Sequence, residues 1–300
     1  MTLLVVGSVA VDNIQTPTAR QDNVLGGSAV HFSFGASFFG PVQMVGVVGG
    51  DWPEEHTKLL RNQGIDTEGL EIVPDGKTFR WTGKYLENMN DRETLDVQLN
   101  VLGDFQPKLP ETYRRAQYVF IGNGAPSTGL KTIDQLQGAD LIVADTMDLW
   151  INIARSDLDA LLTKIDGLVL NDSEAEQLTG ERNIVSAAKK ILTMGPKFVV
   201  IKKGEHGSMF VSQYEIYVVP AFPTENVVDP TGAGDSFAGG MMGYLASQGK
   251  MDAGTIKAAL AYGTVTASFQ IEGFGTDRLL EIKREDIDRR LEQLRDFTAF

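Results

Sequence analysis

No cysteine occurs among the 300 residues, which excludes a disulfide framework and any thiolate metal site. Histidine is scarce too, with three copies; His56 and His206 read as surface residues with no metal-ligand spacing. Basic residues are in deficit, 27 against 40 acidic, giving a net charge of −13. With no Lys/Arg cluster to offset that deficit, a nucleic-acid backbone is not an expected partner. No apolar run approaches the length of a membrane span. The apolar start Leu3–Val6 is too short for a signal peptide and lacks its basic flank, so a cytoplasmic chain that binds no membrane is expected. Also missing are a Gly-x4-Gly-Lys-Ser/Thr phosphate loop, a Gly-x-Gly-x-x-Gly fingerprint and a Gly-x-Ser-x-Gly elbow.

What is present is enough apolar residue for a core, 42 % of the chain, arranged in short β-branched runs. Leu3–Val6, Val42–Val48, Tyr118–Ile121, Leu141–Ala144, Leu168–Leu170 and Phe198–Ile201 are apolar at successive positions, as strands covered on both faces must be. Helical spacing fills several gaps between them, over Ala29–Phe39, Pro53–Gln63, Ser156–Lys164, Ser173–Leu178 and Val185–Met194. Such alternation predicts an α/β fold with a mostly parallel sheet between helical layers. After Gly249 the pattern is helix or loop, ending in the amphipathic Leu279–Phe300. With no linker or repeat, a single domain over 1–300 is expected.

One stretch breaks the pattern. Phe79, Trp81 and Tyr85 alternate with Arg80, Thr82 and Lys84, and Leu95, Val97, Leu99 and Val101 alternate with Thr94, Asp96, Gln98 and Asn100. The polar Glu87–Glu93 between them predicts a hairpin loop. These two-faced strands belong to a small separate sheet formed by parts of 13–26 and 76–102, which serves as a decorative edge, a lid, or a clasp between two copies. An ordinary cross-strand partner for Arg80 is Asp96.

The densest chemistry lies in Asp229-Pro230-Thr231-Gly232-Ala233-Gly234-Asp235-Ser236-Phe237, followed by helical spacing. Small residues opening onto a helix expose backbone N–H groups at the positive end of its dipole, a ready anion site. Asp235 stands beside that anion hole, where a carboxylate would not help to hold phosphate but would help a hydroxyl attack one. A plain turn followed by a first-turn acid is the alternative. At such a helix N-terminus Asp235 is expected to stay ionised and to be a weak base.

Further polar residues follow the strands, where ligands gather in open α/β sheets: Asp12, Asn123, Asp145, Asn171 with Glu174, and Lys202 before Gly204 and Gly207. Taken singly, each suits a cap or a loop, and Ser173 with Glu176 suggests local capping.

The nine residues from Asp229 resemble the C-terminal signature of the ribokinase-like (PfkB) carbohydrate kinases, and the resemblance extends over nearly the whole chain. It implies a three-layer α/β/α ribokinase-like fold with a β-sheet lid, and an ATP-dependent kinase. Asp235 would be the catalytic base and Gly232, Ala233 and Gly234 the anion hole. Asn171-x-x-Glu174 resembles the phosphate and Mg²⁺ motif, with Glu174 reaching the metal through water. Lys202, Gly204, Gly207 and Thr231 would meet the nucleotide. Asp12, Gly26 and Gly27 resemble the sugar side, and Gly46-x-x-Gly49-x-Asp51 another landmark near it. Family members that use K⁺ bind it beside this loop, where Asp229, Thr231 and a loop Ser268–Gly275 correspond. In ribokinase an asparagine stands where this chain has His31, which either reaches a substrate hydroxyl or packs on its helix; Asn123 is a further candidate for the acceptor. The expected acceptor is an unphosphorylated sugar or polyol, then a nucleoside, for which Trp81 would stack on the base. A phosphosugar follows, met by an arginine such as Arg80 or Arg92. A non-catalytic ligand sensor is the alternative outside enzymes, and a homodimer through the lid the expected assembly.

Overall fold

The structure, a computed structural model, describes residues 1–299. Thirteen strands form two sheets: β1 Leu3–Val6, β2 Ala10–Gln15, β3 Arg20–Gly26, β4 Val42–Gly49, β5 Ile65–Val73, β6 Phe79–Tyr85, β7 Arg92–Gln98, β8 Tyr118–Ile121, β9 Leu141–Asp145, β10 Gly167–Asn171, β11 Phe198–Lys202, β12 Ser208–Ser212 and β13 Ile216–Val219. The large sheet runs β13-β12-β11-β10-β9-β8-β1-β4-β5. It is parallel from β11 to β5, with β12 and β13 added antiparallel. From β1 the chain builds outward through β4 and β5, then returns to the other side of β1 with β8. That reversal is a switch point, and open α/β sheets take their ligands there, at the carboxyl ends of the strands.

The unbroken apolar runs are explained by two cores. Leu3 and Val5 of β1 belong to one buried cluster, and Leu4 and Val6 to the other, on opposite faces of the same strand. Helices Ser28–Ser37, Ala233–Gln248 and Ala253–Gln270 pack on the first face. They come unusually close because glycine replaces larger residues: a side chain at Gly239 would strike the Phe32 carbonyl.

The six expected strands and five expected helices are all present, with ends shifted by a residue or two. Three segments differ from expectation. Ile65–Val73 is an edge strand whose acids alternate with its buried residues, so it carries no continuous apolar run. The expected helix at Leu279–Phe300 breaks at Ile282 and restarts as Arg284–Thr298, where Lys283 and Asp286 cap the new start; Phe300 lies outside the described residues. The expected strand Thr94–Val101 stops at Gln98, and Asn100–Leu102 turns into a single helical turn whose Asn100 side chain donates to the Thr78 carbonyl at 2.9 Å.

The small sheet has the order β3-β2-β6-β7 and is mixed, since β2 and β6 run parallel. It starts at Ala10, upstream of the segment 13–26 expected to join it, and so includes Asp12. Asp51 pins it to the large sheet, accepting from the Thr78 N–H and hydroxyl, both at 2.7 Å. Arg80 reaches back to Asp51 (3.7 Å) and Asn23 (3.0 Å) rather than to Asp96, which accepts instead from Gln98. The register between β6 and β7 sets Arg80 opposite Gln98 and Asp96 opposite Thr82, so Asp96 is not the direct cross-strand partner of Arg80. Among the described residues, no helix is long and apolar enough to cross a membrane.

Candidate active site

The anion loop is built before the helix begins. Asp229 is fully buried, and its two carboxylate oxygens accept from the N–H groups of Thr231 (2.9 Å) and Gly275 (3.2 Å). Gly232 then adopts φ 74° and ψ 2°, a left-handed conformation that glycine adopts without strain. A side chain there would also run into the ring of His31. The Ala233 N–H donates to the Pro230 carbonyl at 3.1 Å, closing a turn of type II geometry. This corrects one expectation: Ala233 is already engaged, and the Gly232 and Gly234 N–H groups are the donors left without a backbone partner among the described residues. The segment Ser268–Gln270, expected as loop, is the end of the helix Ala253–Gln270.

Asp235 sits in the first turn of the helix Ala233–Gln248. Its carboxyl is pushed up to about 7, first by burial and then by the charge of Asp145, while Lys202 and Arg92 oppose the rise. This works against the expected full ionisation and makes the carboxyl a stronger base than a helix N-terminus alone would. Loss of water and a neighbouring carboxylate outweigh the helix N-terminus, and the group is tuned to the pH at which it would work.

Lys202 ends β11 beside Asn171 at the end of β10, and its Nζ lies 3.7 Å from the Asp145 carboxylate. A Cβ added at Gly234 would come within 2.6 Å of that Nζ, so the glycine is what lets the ammonium lie against the helix N-terminus. Burial works against its charge, but Asp145, Glu174 and Asp235 outweigh it and hold Lys202 above the usual lysine range.

Asn171 and Glu174 cap their helix reciprocally. The Asn171 Oδ1 accepts from the Glu174 N–H and Glu174 Oε2 accepts from the Asn171 N–H, both at 2.7 Å. The cap thus lies on this pair and not on Ser173 with Glu176. It fixes the Glu174 carboxyl, which burial pushes up to about 7 against the opposing charge of Lys202.

Gly204 (φ 52°) opens a tight turn where an added Cβ would lie 3.2 Å from the Asn90 side chain of the small-sheet hairpin, and at Gly207 (φ 83°) an added Cβ would strike the backbone of Val219–Ala221. Thr231 donates its hydroxyl to Tyr85 of the lid at 3.1 Å, so the small sheet rests on the anion loop itself.

On the acceptor side Asp12 is 4 % exposed, and its Oδ1 has no hydrogen-bond partner. Burial first, then the charge of Asp229, pushes its carboxyl up to about 8. Gly26 lies against that carboxylate and leaves it room, and Gly27 (φ 100°) packs on the Ser8 carbonyl. His31 is buried, with Nδ1 unpartnered, and burial lowers it to about 4, so a neutral ring backs the anion loop. The Asn123 side chain accepts from Trp150 (2.9 Å) and donates to Met147 (3.0 Å). Trp81 packs with Ile14, Val24 and Tyr85 in the lid core and donates to Thr94 at 3.3 Å.

Two residues escape the sequence reading of the site, Tyr85 as a contact to the loop and Gln270, while Arg92, read there as a phosphosugar contact, has a charge that favours the ionised form of Asp235. The only signal for Gln270 is a lone amide among the apolar and small residues Val265–Ile271.

Raised carboxyls carry a stability consequence. Between the ordinary carboxylate value and their raised values, Asp12, Asp235 and Glu174 hold more protons folded than unfolded. Stability of the ligand-free protein should therefore fall as pH rises from about 5 to about 8. Thermal melts across that range check this, and Asp12→Asn should flatten the slope. A melting temperature that climbs over the range contradicts the assignment.

Comparison with known proteins shows the family and the fold. The model of the pfkB family carbohydrate kinases matches residues 3–283. A cytidine kinase of Thermococcus kodakarensis is 31 % identical over 250 residues, covering 81 % of this chain and 88 % of that protein. A nucleoside kinase of Burkholderia thailandensis, solved with ADP-inosine, superposes with a TM-score of 0.81 at 18 % identity over 98 % of this chain and 96 % of the other. An E. coli protein assigned as ribokinase II, solved with ATP and Mg²⁺, gives 0.80 at 20 % identity over 97 % and 99 %.

Proposed function

The chain belongs to the pfkB family of carbohydrate kinases and is a phosphotransferase with an alcohol acceptor; we propose that it transfers the γ-phosphate of ATP to a hydroxyl of a nucleoside. One observation carries the chemistry: the Asp235 carboxyl lies in the first turn of a helix beside the Gly232 and Gly234 N–H groups, which have no backbone partner among the described residues, with Lys202 against the same turn. Asp235 takes the proton of the attacking hydroxyl as that oxygen bonds to the γ-phosphorus and the bond to ADP breaks. The Gly232 and Gly234 N–H groups and Lys202 hold the charge spread over the phosphoryl oxygens and the leaving group. Glu174, fixed by its cap, would hold Mg²⁺ partly through water, since a hard cation takes oxygen ligands and keeps waters. When bound, that ion neutralises phosphate charge.

Asp12 accepts hydroxyls of the acceptor, and the lid supports a nucleoside over the sugar or polyol ranked first by sequence. Asp12, Trp81 and Val97 are register partners across β2, β6 and β7, so they share one face of the small sheet. That row sets the acid beside apolar surface, including the 46 % exposed Val97, which suits a base joined to a ribose. The 31 % identity to a cytidine kinase supports the same choice. A phosphosugar is disfavoured because Arg80 is already engaged by Asp51 and Asn23. In this reading the two sheets form one kinase domain with the smaller as its lid, acting in the cytoplasm where ATP is made. Exposed Leu95 and Leu99 give the lid a second use as a contact between two copies. No K⁺ is included, because carbonyls that would hold one already accept from Gln270.

Coupled ADP release with Mg²⁺ and ATP, over nucleosides, pentoses, polyols and phosphosugars, tests the acceptor. Nucleosides should outpace the free pentose by about 100-fold in kcat/KM, the effect of about 3 kcal/mol from burying a base. Equal rates with ribose and with every nucleoside would return the acceptor to the sugar class.

A further inference from the structure

Gln270 has no part in the scheme above, yet it is 1 % exposed and sits directly behind the anion loop. Its Nε2 donates to the carbonyls of Thr231, at 3.0 Å, and Gly275, while its Oε1 accepts from the Ser236 hydroxyl at 3.3 Å. Asp229 holds the N–H groups of the same two residues. Thr231 and Gly275 are thus gripped at both ends of their backbone, by one carboxylate and one amide.

That grip decides where a catalytic donor points. Across a planar trans peptide the C=O of one residue and the N–H of the next face opposite ways. With the Thr231 carbonyl drawn to Gln270, the Gly232 N–H must face away from Gln270. Turns of types I and II differ by a flip of their central peptide, here the bond from Thr231 to Gly232. Without a donor behind the loop, nothing would oppose that flip, which would withdraw the Gly232 N–H from the phosphoryl group.

We propose that Gln270 is a positioning residue that locks the Gly232 N–H toward the transferring phosphoryl group. In this chain its amide also does the work a monovalent cation would do among the same carbonyls, so turnover needs no K⁺. Two backbone carbonyls beside the buried Asp229 are hard oxygen donors of the kind that hold a cation, but here the single Gln270 Nε2 donates to both and stands where the ion would sit. The cation expected beside this loop therefore does not fit.

The proposal rests on the kinase reading and is tested on the full chain with saturating Mg²⁺, ATP and nucleoside, in potassium chloride and in tetramethylammonium chloride, whose cation is too large for the loop. Wild-type kcat should be the same in both salts. Gln270→Met keeps length and burial but loses the donor, and should lower kcat by about 100-fold, the usual loss for one oxyanion donor, with the acceptor KM unchanged. Gln270→Ala should fall similarly and regain activity only in potassium, as the ion fills the space. Calorimetric titration of a non-hydrolysable ATP analogue accompanies the kinetics, with Gln270→Met binding about tenfold more weakly, the loss expected of one hydrogen bond to a charged group. Wild-type turnover that rises several-fold with potassium overturns the proposal, as does a Gln270→Met enzyme with wild-type kcat and affinity. If no nucleoside is turned over by the wild type, the acceptor reading fails alone, and the difference in analogue affinity still decides this one.

Discussion

Asp235→Asn is expected to lose about three orders of magnitude in kcat, within the usual range for a general base, while keeping its fold and its affinity for ATP. Asparagine fills the same space at the same turn of the helix but accepts no proton at working pH. The substitution also removes one of three carboxyls crowded around Lys202, so neither the ligand-free fold nor the binding of an anionic nucleotide should suffer. Turnover at saturating substrates, with calorimetric ATP titration as the control, separates loss of the base from loss of the site. A variant that keeps kcat within tenfold of wild type would remove Asp235 from the chemistry.

Asp12→Ala should be nearly as damaging, through the acceptor rather than through the chemical step. Its Oδ1 is buried without a partner, a costly arrangement that an incoming hydroxyl donor would relieve. Each hydrogen bond to a charged group contributes about 1.5–3 kcal/mol, so losing two lowers kcat/KM for the acceptor by about 1,000-fold. The KM for ATP should stay within a factor of about two, since no nucleotide group is assigned to Asp12. The same variant should melt higher than wild type at about pH 8, where the wild-type carboxyl pays for ionising in a buried site. An unchanged acceptor KM would show that the acceptor lies elsewhere.

How much of this could be read in advance depended on how local the signal was. The anion loop was legible because its demands fall on adjacent residues: a left-handed Gly232, small neighbours and an acid one turn into the helix. Strands β1, β8 and β10 were legible because burial on both faces forces continuous apolar runs. At the sheet margin β5 was not, since Asp66, Glu68 and Glu71 break its pattern. Contacts between distant segments left almost no trace. Nothing near Gly234 reports that the Lys202 ammonium lies against it, and nothing near Asn100 reports its bond to Thr78. What opposes the ionisation of Asp235 was hidden for the same reason. The helix N-terminus that favours its charge is local, whereas the Asp145 carboxylate and the burial that oppose it come from the assembled fold.

The proton-accepting role of Asp235 is tested most directly by kcat against pH, at saturating ATP and nucleoside, for wild type and Arg92→Ala. Wild-type kcat should rise with pH along a one-proton limb with its midpoint near 7, the value to which burial raises the Asp235 carboxyl of the ligand-free protein. Arg92 favours the ionised carboxylate, so removing it should move that limb to higher pH. A kcat that is flat from about pH 5 to about pH 8, or a limb that stays in place in the variant, would contradict Asp235 as the base.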